Sequence, residues 1–173
     1  SVAAPAFAGS FYLQEQSVRG AGRAFSGEAA DRGTGSMWWN PAAIARSGRE
    51  LSFGMHAIRI DSEVKNDGSY VTYPGGTNVP VRDPRNTEVD PIESGLVPNF
   101  AFATPIGDRF AVGVSMAAPY NFTTKYEQGS FARYDALTSE LRSADAGLTV
   151  AYQVNDWLDL GAGLNAQYVK AKL

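Results

Sequence analysis

From Trp157 to Leu173 the chain reads WLDLGAGLNAQYVKAKL, and its apolar residues recur at every second position. Leu158, Leu160, Ala162, Leu164, Ala166 and Tyr168 share one side, and Asp159, Gly161, Gly163, Asn165 and Gln167 share the other. A period of two marks a strand with one apolar face. A strand of about 12 or more residues exceeds the usual soluble length of roughly 5 to 6. Few folds use such a strand, so this run constrains the chain more than any other stretch.

The same alternation recurs upstream. Leu51, Phe53, Met55 and Ala57 oppose Ser52, Gly54 and His56. Phe100 and Phe102 share a face in residues 96–104. Phe110, Val112, Val114 and Met116 oppose Ala111, Gly113 and Ser115, and residues 140–152 repeat the pattern. Tight turns are predicted at 104–108 (TPIGD) and 153–156 (QVND), after the second and fourth strands. Long polar connections follow the first and third strands, over residues 61–94, with a small hairpin near Tyr70 to Tyr73, and over 119–135. Strict alternation of short turns and long loops is the plan of an outer-membrane β-barrel. Tyr152, Trp157 and Tyr168 fall near strand ends, where amphipathic rings favour the membrane interface. The predicted fold class is therefore all-β, a transmembrane antiparallel barrel. A soluble meander sheet shares the alternation but fits the strand length and the turn parity less well. Single-chain bacterial barrels have at least about 8 strands. Five predicted strands therefore read as the first part of a larger one.

Composition excludes several alternatives. The 173 residues carry a net charge of −3, so no basic field calls for nucleic acid. There is no cysteine, hence no disulfide framework and no Cys-ligated zinc, and the single histidine, His56, cannot build a His cage. No run reaches the roughly 18 to 20 apolar residues of a membrane helix. Mean hydropathy of −0.22 suits a barrel with alternating faces as well as a soluble fold.

Residues 9–48 lack a period of two and are rich in glycine. Within them stands GSMWWNPAAIARSG. Asn40 suits a helix N-cap, Pro41 the first helical position and Gly48 the end, so a short capped helix is predicted here. Ahead of this region, Ala6-Phe7-Ala8 before Gly9 is a small-x-small cleavage pattern, which reads residues 1–8 as the tail of a secretory signal.

Few constellations carry chemistry. GAGLNA at 161–166 matches a dinucleotide pattern, but that pattern needs a helix to open at the glycines, and the strand runs straight through. The glycines instead thin the inner face of a curved sheet. His56 has no nucleophile or orienting acid at a telling spacing, so it reads as a solvated or hydrogen-bonded wall residue. An aquaporin-like role for Asn40-Pro41-Ala42 fails for want of apolar helices. Pro119, inside AVGVSMAAPYNF, either ends the third strand or breaks its ladder and opens a sideways gap, with Asn121 easing the kink. No catalytic residue, metal ligand or cofactor is assigned.

Residues 9–45, GSFYLQEQSVRGAGRAFSGEAADRGTGSMWWNPAAIA, resemble the N-terminal plug of the FadL-type outer-membrane transporters of long-chain fatty acids and other hydrophobic compounds. The carrying features are Phe11, the GAGRAFSGE segment ending at Glu28, and Asn40 to Ala42. LVPNFAFATPIGDRFAVGVSM, YNFTTKYEQG and LTVAYQVNDWLDLGAGLNAQYVKAKL extend the likeness over the rest of the chain. The resemblance implies a 14-stranded barrel with a hatch at 9–49 and the first part of the wall at 50–173. It implies passive uptake through a gap at a kink in the third strand, aligned with Pro119, Tyr120, Asn121 and Phe122. By the same likeness, Asn40, Pro41 and Ala42 are the hatch motif beside that gate, and Gly9, Ser10 and Phe11 reach the ligand pocket. Trp38 and Trp39 depart from the family pattern. They line the ligand path where the hatch meets it, or pack the hatch against the barrel wall. The implied partners are a fatty acid or aromatic hydrocarbon and the lipopolysaccharide of the outer membrane, with a monomeric protein. A barrel lipid hydrolase and a structural or adhesive barrel remain as alternatives.

Overall fold

The computed structural model describes residues 13, 16–68, 70–80, 88–131 and 137–172. Gly9, Ser10 and Phe11 lie outside the described residues.

Five long strands, one of them interrupted, form a single antiparallel wall. They are β1 (Glu50–Ile58), β6 (Gly95–Ile106), β7 (Phe110–Ala117) with its continuation β8 (Asn121–Lys125), β9 (Thr138–Gln153) and β10 (Asp159–Lys172). Their spatial order is β1-β6-β7-β9-β10, with β8 also paired to β9, so chain neighbours are ladder neighbours throughout. The connection from β1 to β6 contains four short strands. β3 (Tyr70–Tyr73) pairs with β4 (Thr77–Pro80), and β2 (Val64–Lys65) pairs with β5 (Glu88–Val89). The β3–β4 turn uses Gly75 and Gly76 at φ of 108° and 83°, the left-handed region that glycine enters without a Cβ clash.

Both tight turns have a local cause. Gly107 supplies a φ of 64° between β6 and β7. Between β9 and β10 the Asn155 carboxamide oxygen accepts from the N–H groups of Trp157 (3.0 Å) and Leu158 (2.9 Å), a side-chain mimic of a backbone turn.

The two faces of the wall differ sharply. Leu51, Phe53, Met55, Val114, Leu148 and Leu164 project outward and stay 43–78% exposed. That is untenable for a solvated surface and ordinary for one facing hydrocarbon. The inner face is made of small side chains. Ala101, Ala103, Ala111 and Ala151 are buried there with Met37, Ile44 and Ala45 of the N-terminal region.

Glycines set how closely that region approaches. A Cβ at Gly113 would stand 2.6 Å from the Met37 sulfur and 3.0 Å from Ile44 Cδ1. A Cβ at Gly161 would run into the backbone of Pro41 and Ala42. The glycines of GAGLNA are therefore seats for the Asn-Pro-Ala turn, and β10 runs through the motif unbroken.

The turn itself is tighter than an α-helix. Pro41–Ile44 is a 3-10 turn, and the Asn40 side chain accepts from the Ala42 N–H at 3.0 Å. Polar ties fix the region to the wall at two ends. Glu50 of β1 accepts from the Thr34 N–H at 2.9 Å. Arg46 makes a bidentate pair with Asp159 (2.8 and 2.9 Å) and donates to the Asn155 carbonyl, while Gln153 donates to the Ala45 carbonyl at 2.6 Å. Arg46 and Asp159 are each about three-quarters covered, so water screens this pair less than a surface one.

Within the region, GAGRAFSGE acts as a unit. Ser17 caps the short helix α1 (Val18–Ala21) by accepting from the Gly20 N–H. Buried Glu28 accepts from Arg23 (2.7 Å) and from the Ser36 hydroxyl (3.1 Å). Gly20 lets that carboxylate approach, since a Cβ there would lie 3.0 Å from Glu28 Oε1. Asp31 pairs with Arg19 and Arg23. The Arg32 N–H and the Arg23 guanidinium hold its carboxyl below the ordinary carboxylate range.

Two outcomes follow. In the full-length protein, Gly161→Val is expected to unseat the N-terminal region while leaving the ladder intact. The readout is protease cleavage within residues 16–48 at unchanged β-sheet circular dichroism. The depressed Asp31 value means its contribution is complete above the unfolded value near 3.9 and fades as pH falls through the lower folded value. Amide protection factors in residues 19–36 should therefore fall as the solution is acidified below about pH 4. Asp31→Asn should flatten that fall.

Candidate functional site

Pro119 does not end the third strand. β7 stops at Ala117, opposite Asp145, and β8 restarts at Asn121, opposite Arg142, on the same neighbour. The register shifts by one residue across the break, as at a bulge. Residues 121–125, which the sequence placed within a polar loop, are thus strand. Proline brings no N–H to the ladder, and local substitutes fill the break. The Tyr120 N–H donates to the Ser143 hydroxyl at 2.8 Å, and the Tyr120 carbonyl accepts from the Ser143 N–H at 2.8 Å. The Pro119 carbonyl accepts from the Leu13 N–H at 2.8 Å. Pro119 itself is fully buried.

On its other side the kink interrupts the ladder between β6 and the third strand, while β6 stays paired to β1. The β6–β7 ladder ends at Phe100 opposite Met116. Further out, β6 meets the third strand again where the Asn121 carboxamide donates to the Leu96 carbonyl at 2.9 Å. Beyond that, the Glu93 N–H donates to the Thr123 carbonyl and closes the top. Between these limits lies a window about 13 Å long, four residues of strand. A recess of about 280 Å³ on the outer face is lined by Phe53, Pro98, Phe100, Met116 and Ala118, all apolar, together with Asn99. Phe53, Asn99 and Phe100 also border a second recess of about 300 Å³ that reaches Gln16 and Ser17 of the N-terminal region. Asn99 is buried, and its Nδ2 has no hydrogen-bond partner among the described residues.

The structure brings only some of the sequence candidates together. Pro119, Tyr120 and Asn121 build the kink, and Phe122 follows in the resumed strand opposite Leu141. Asn40, Pro41 and Ala42 do not touch it. They sit against Gly161, whose ladder partner is Ala151, six residues along β9 from Asp145 at the kink. That is roughly 20 Å of strand. Leu13 is the described N-terminal residue hydrogen-bonded to Pro119.

Trp39 packs on Phe25 within the N-terminal region, with ring centroids 5.9 Å apart, and Trp38 is half-buried. Met37 and Ile44, rather than the tryptophans, fill the hollow against the wall. His56 is neither solvated nor hydrogen-bonded at Nε2, which is buried without a partner among the described residues. Among the described residues there is no group of acidic or histidine side chains able to hold a metal ion.

Sequence reasoning missed Leu13, Asn99, Ser143 and Pro98. Only Pro98 carried a signal, a proline inside an alternating run, which is the cue that singled out Pro119.

A wall of long antiparallel strands, apolar outward and filled on its inner face by an N-terminal segment, is part of an outer-membrane β-barrel. The chain belongs to the outer membrane protein transport protein family (OMPP1/FadL/TodX), whose profile matches residues 1–173. It is 32% identical over 99% of its length to the long-chain fatty acid transport protein of Escherichia coli K12. It is 30% identical over 96% of its length to outer membrane protein P1 of Haemophilus influenzae. It spans 36% and 37% of these two relatives. The crystal structure of a Pseudomonas aeruginosa FadL homologue shares the fold, with a TM-score of 0.76 at 24% identity, covering 93% of this chain and 38% of that one. The protein is thus an outer-membrane protein of barrel fold.

Ser143 is the test of how the break is held. Ser143→Ala strands the Tyr120 N–H in a part-buried site, a loss of about 1–3 kcal/mol. Amide exchange at residues 120–122 is expected to accelerate accordingly while β1 and β6 stay protected.

Proposed function

We propose that the protein is a passive outer-membrane channel for long-chain fatty acids or similar hydrophobic molecules, released sideways through the window at the kink. The observation that carries this reading is the interrupted third strand with its apolar rim. Family membership and the name of the Escherichia coli relative support the substrate class.

In this reading residues 1–8 are a signal-peptide tail, 9–49 the hatch and 50–173 the first part of the wall. The ligand leaves the lipopolysaccharide layer for a pocket inside the barrel, which Gly9, Ser10 and Phe11 reach. Displacing the N-terminal segment breaks the bond from Leu13 to the Pro119 carbonyl. That joins the inner recess to the outer one past Asn99. Asn40 to Ala42 act as the hatch's fixed foot, seated on Gly161, so that movement is confined to the segment near Leu13. Trp38 and Trp39 belong to the packing of the hatch. The protein works as a monomer and needs no cofactor.

Lateral release has a physical reason. Returning an alkyl chain to water costs about 0.8 kcal/mol per methylene, more than ~10 kcal/mol for a long chain. A path that ends in the bilayer avoids that cost. No energy source and no bond chemistry are required, consistent with a family of transport proteins rather than enzymes.

Straightening the kink tests the route. Pro119→Val combined with Asn121→Val is expected to restore the β6 ladder and to reduce uptake of labelled fatty acid at least tenfold, with unchanged barrel assembly on gels. Uptake at the parental rate in that variant would sink the lateral route.

A further inference from the structure

β10 and the tight turn before it carry an aromatic residue near each end of the strand. Trp157, in the turn, and Tyr168, on the outward face, are 81% and 69% exposed. At about 3.3 Å per residue and a tilt near 45°, the strand from Asp159 to Tyr168 rises roughly 21 Å along the membrane normal, with Trp157 below it. That matches the ~25 Å apolar band and its two aromatic girdles in outer-membrane barrels. Trp157 belongs to the tight-turn side, which is periplasmic in this architecture, so Tyr168 marks the outer interface.

Two residues and four residues beyond Tyr168, on the same face, come Lys170 and Lys172. Their orientation follows from register. Lys170 is opposite Arg142, which shares its face of β9 with exposed Leu148 and Val150, and Lys172 is opposite Glu140. The lumen-facing set on these strands is the other one, with buried Asp145 and Thr149.

Glu140 is committed to Arg142, whose Nε lies 2.5 Å from its carboxylate. Lys170 and Lys172 have no ion pair among the described residues and stand just above the girdle. A lysine on the lipid face is costly at the midplane and costs close to nothing at the interface. Beside an anionic surface the cost becomes an attraction.

We propose that Lys170, Lys172 and the exposed edge of the Arg142 guanidinium form an outward-facing site for the phosphates of lipid A in the outer leaflet. Arg142 lies on the strand that carries Ser143, so a bound lipopolysaccharide sits beside the window rim. This rests on the outer-membrane reading but not on lateral transport.

The test uses the full-length protein in detergent, with lipopolysaccharide and its enzymatically dephosphorylated form as probes and native mass spectrometry as readout. The expected result is retention of lipopolysaccharide by the parent and loss of binding to the dephosphorylated form. Lys170→Gln with Lys172→Gln should weaken binding roughly ten- to thirtyfold. Lys170→Arg with Lys172→Arg should keep it. Heat-modifiable migration confirms that each variant is a folded barrel, and fatty-acid uptake is followed separately. Loss of lipopolysaccharide with uptake intact supports the site even if the transport route fails. Equal binding by the parent and the glutamine variant, or equal retention of phosphatidylglycerol, overturns it.

Discussion

In hydrocarbon no water is present to satisfy a backbone N–H or C=O, so a strand cannot simply stop within the membrane. The third strand breaks within the barrel wall, and every other feature of the site depends on how the break is repaired. The Ser143 hydroxyl and N–H serve Tyr120, the Asn121 carboxamide serves Leu96, and Leu13 serves Pro119. Two of these repairs lie within the wall. The third comes from the N-terminal segment, outside the wall.

The wall gives the N-terminal region its seat by leaving side chains out. Alanines and glycines on the inner face bring two backbones close together, and Met37 and Ile44 occupy the hollow at Gly113. Such contacts are dispersive and tolerate little added volume. The polar ties at Glu50 and at Arg46–Asp159 act at the rims of that contact. The anchoring at this end is thus side-chain packing with polar ties, while at the kink the described contact is the backbone bond of Leu13.

Much of this was legible in the chain. The alternation in 51–57, 96–104, 110–116, 140–152 and 158–168 reports which residues face lipid, because that environment accepts only apolar side chains. Asn40 as a cap and Gly107 in a turn are local matters that a few neighbouring residues decide. The site was less legible. The cue of a proline within an alternating run picked out Pro119, and applies equally to Pro98, which was missed; it cannot say whether a strand ends or resumes. The answer lies in Ser143, a serine on another strand with nothing unusual around it.

By itself, then, the sequence determined the five long strands up to Pro119 and beyond the polar loop, their faces, the turn parity and Pro119 as the point of interruption, since each follows from local periodicity and backbone chemistry. Only the tertiary structure decided that the Asn-Pro-Ala turn rests on Gly161 rather than at the kink, and that Arg46 finds Asp159 across 113 residues of chain. It also decided that the segment around Leu13 closes the break. Those pairings depend on how a curved wall wraps a folded segment, and no period along the chain encodes that distance.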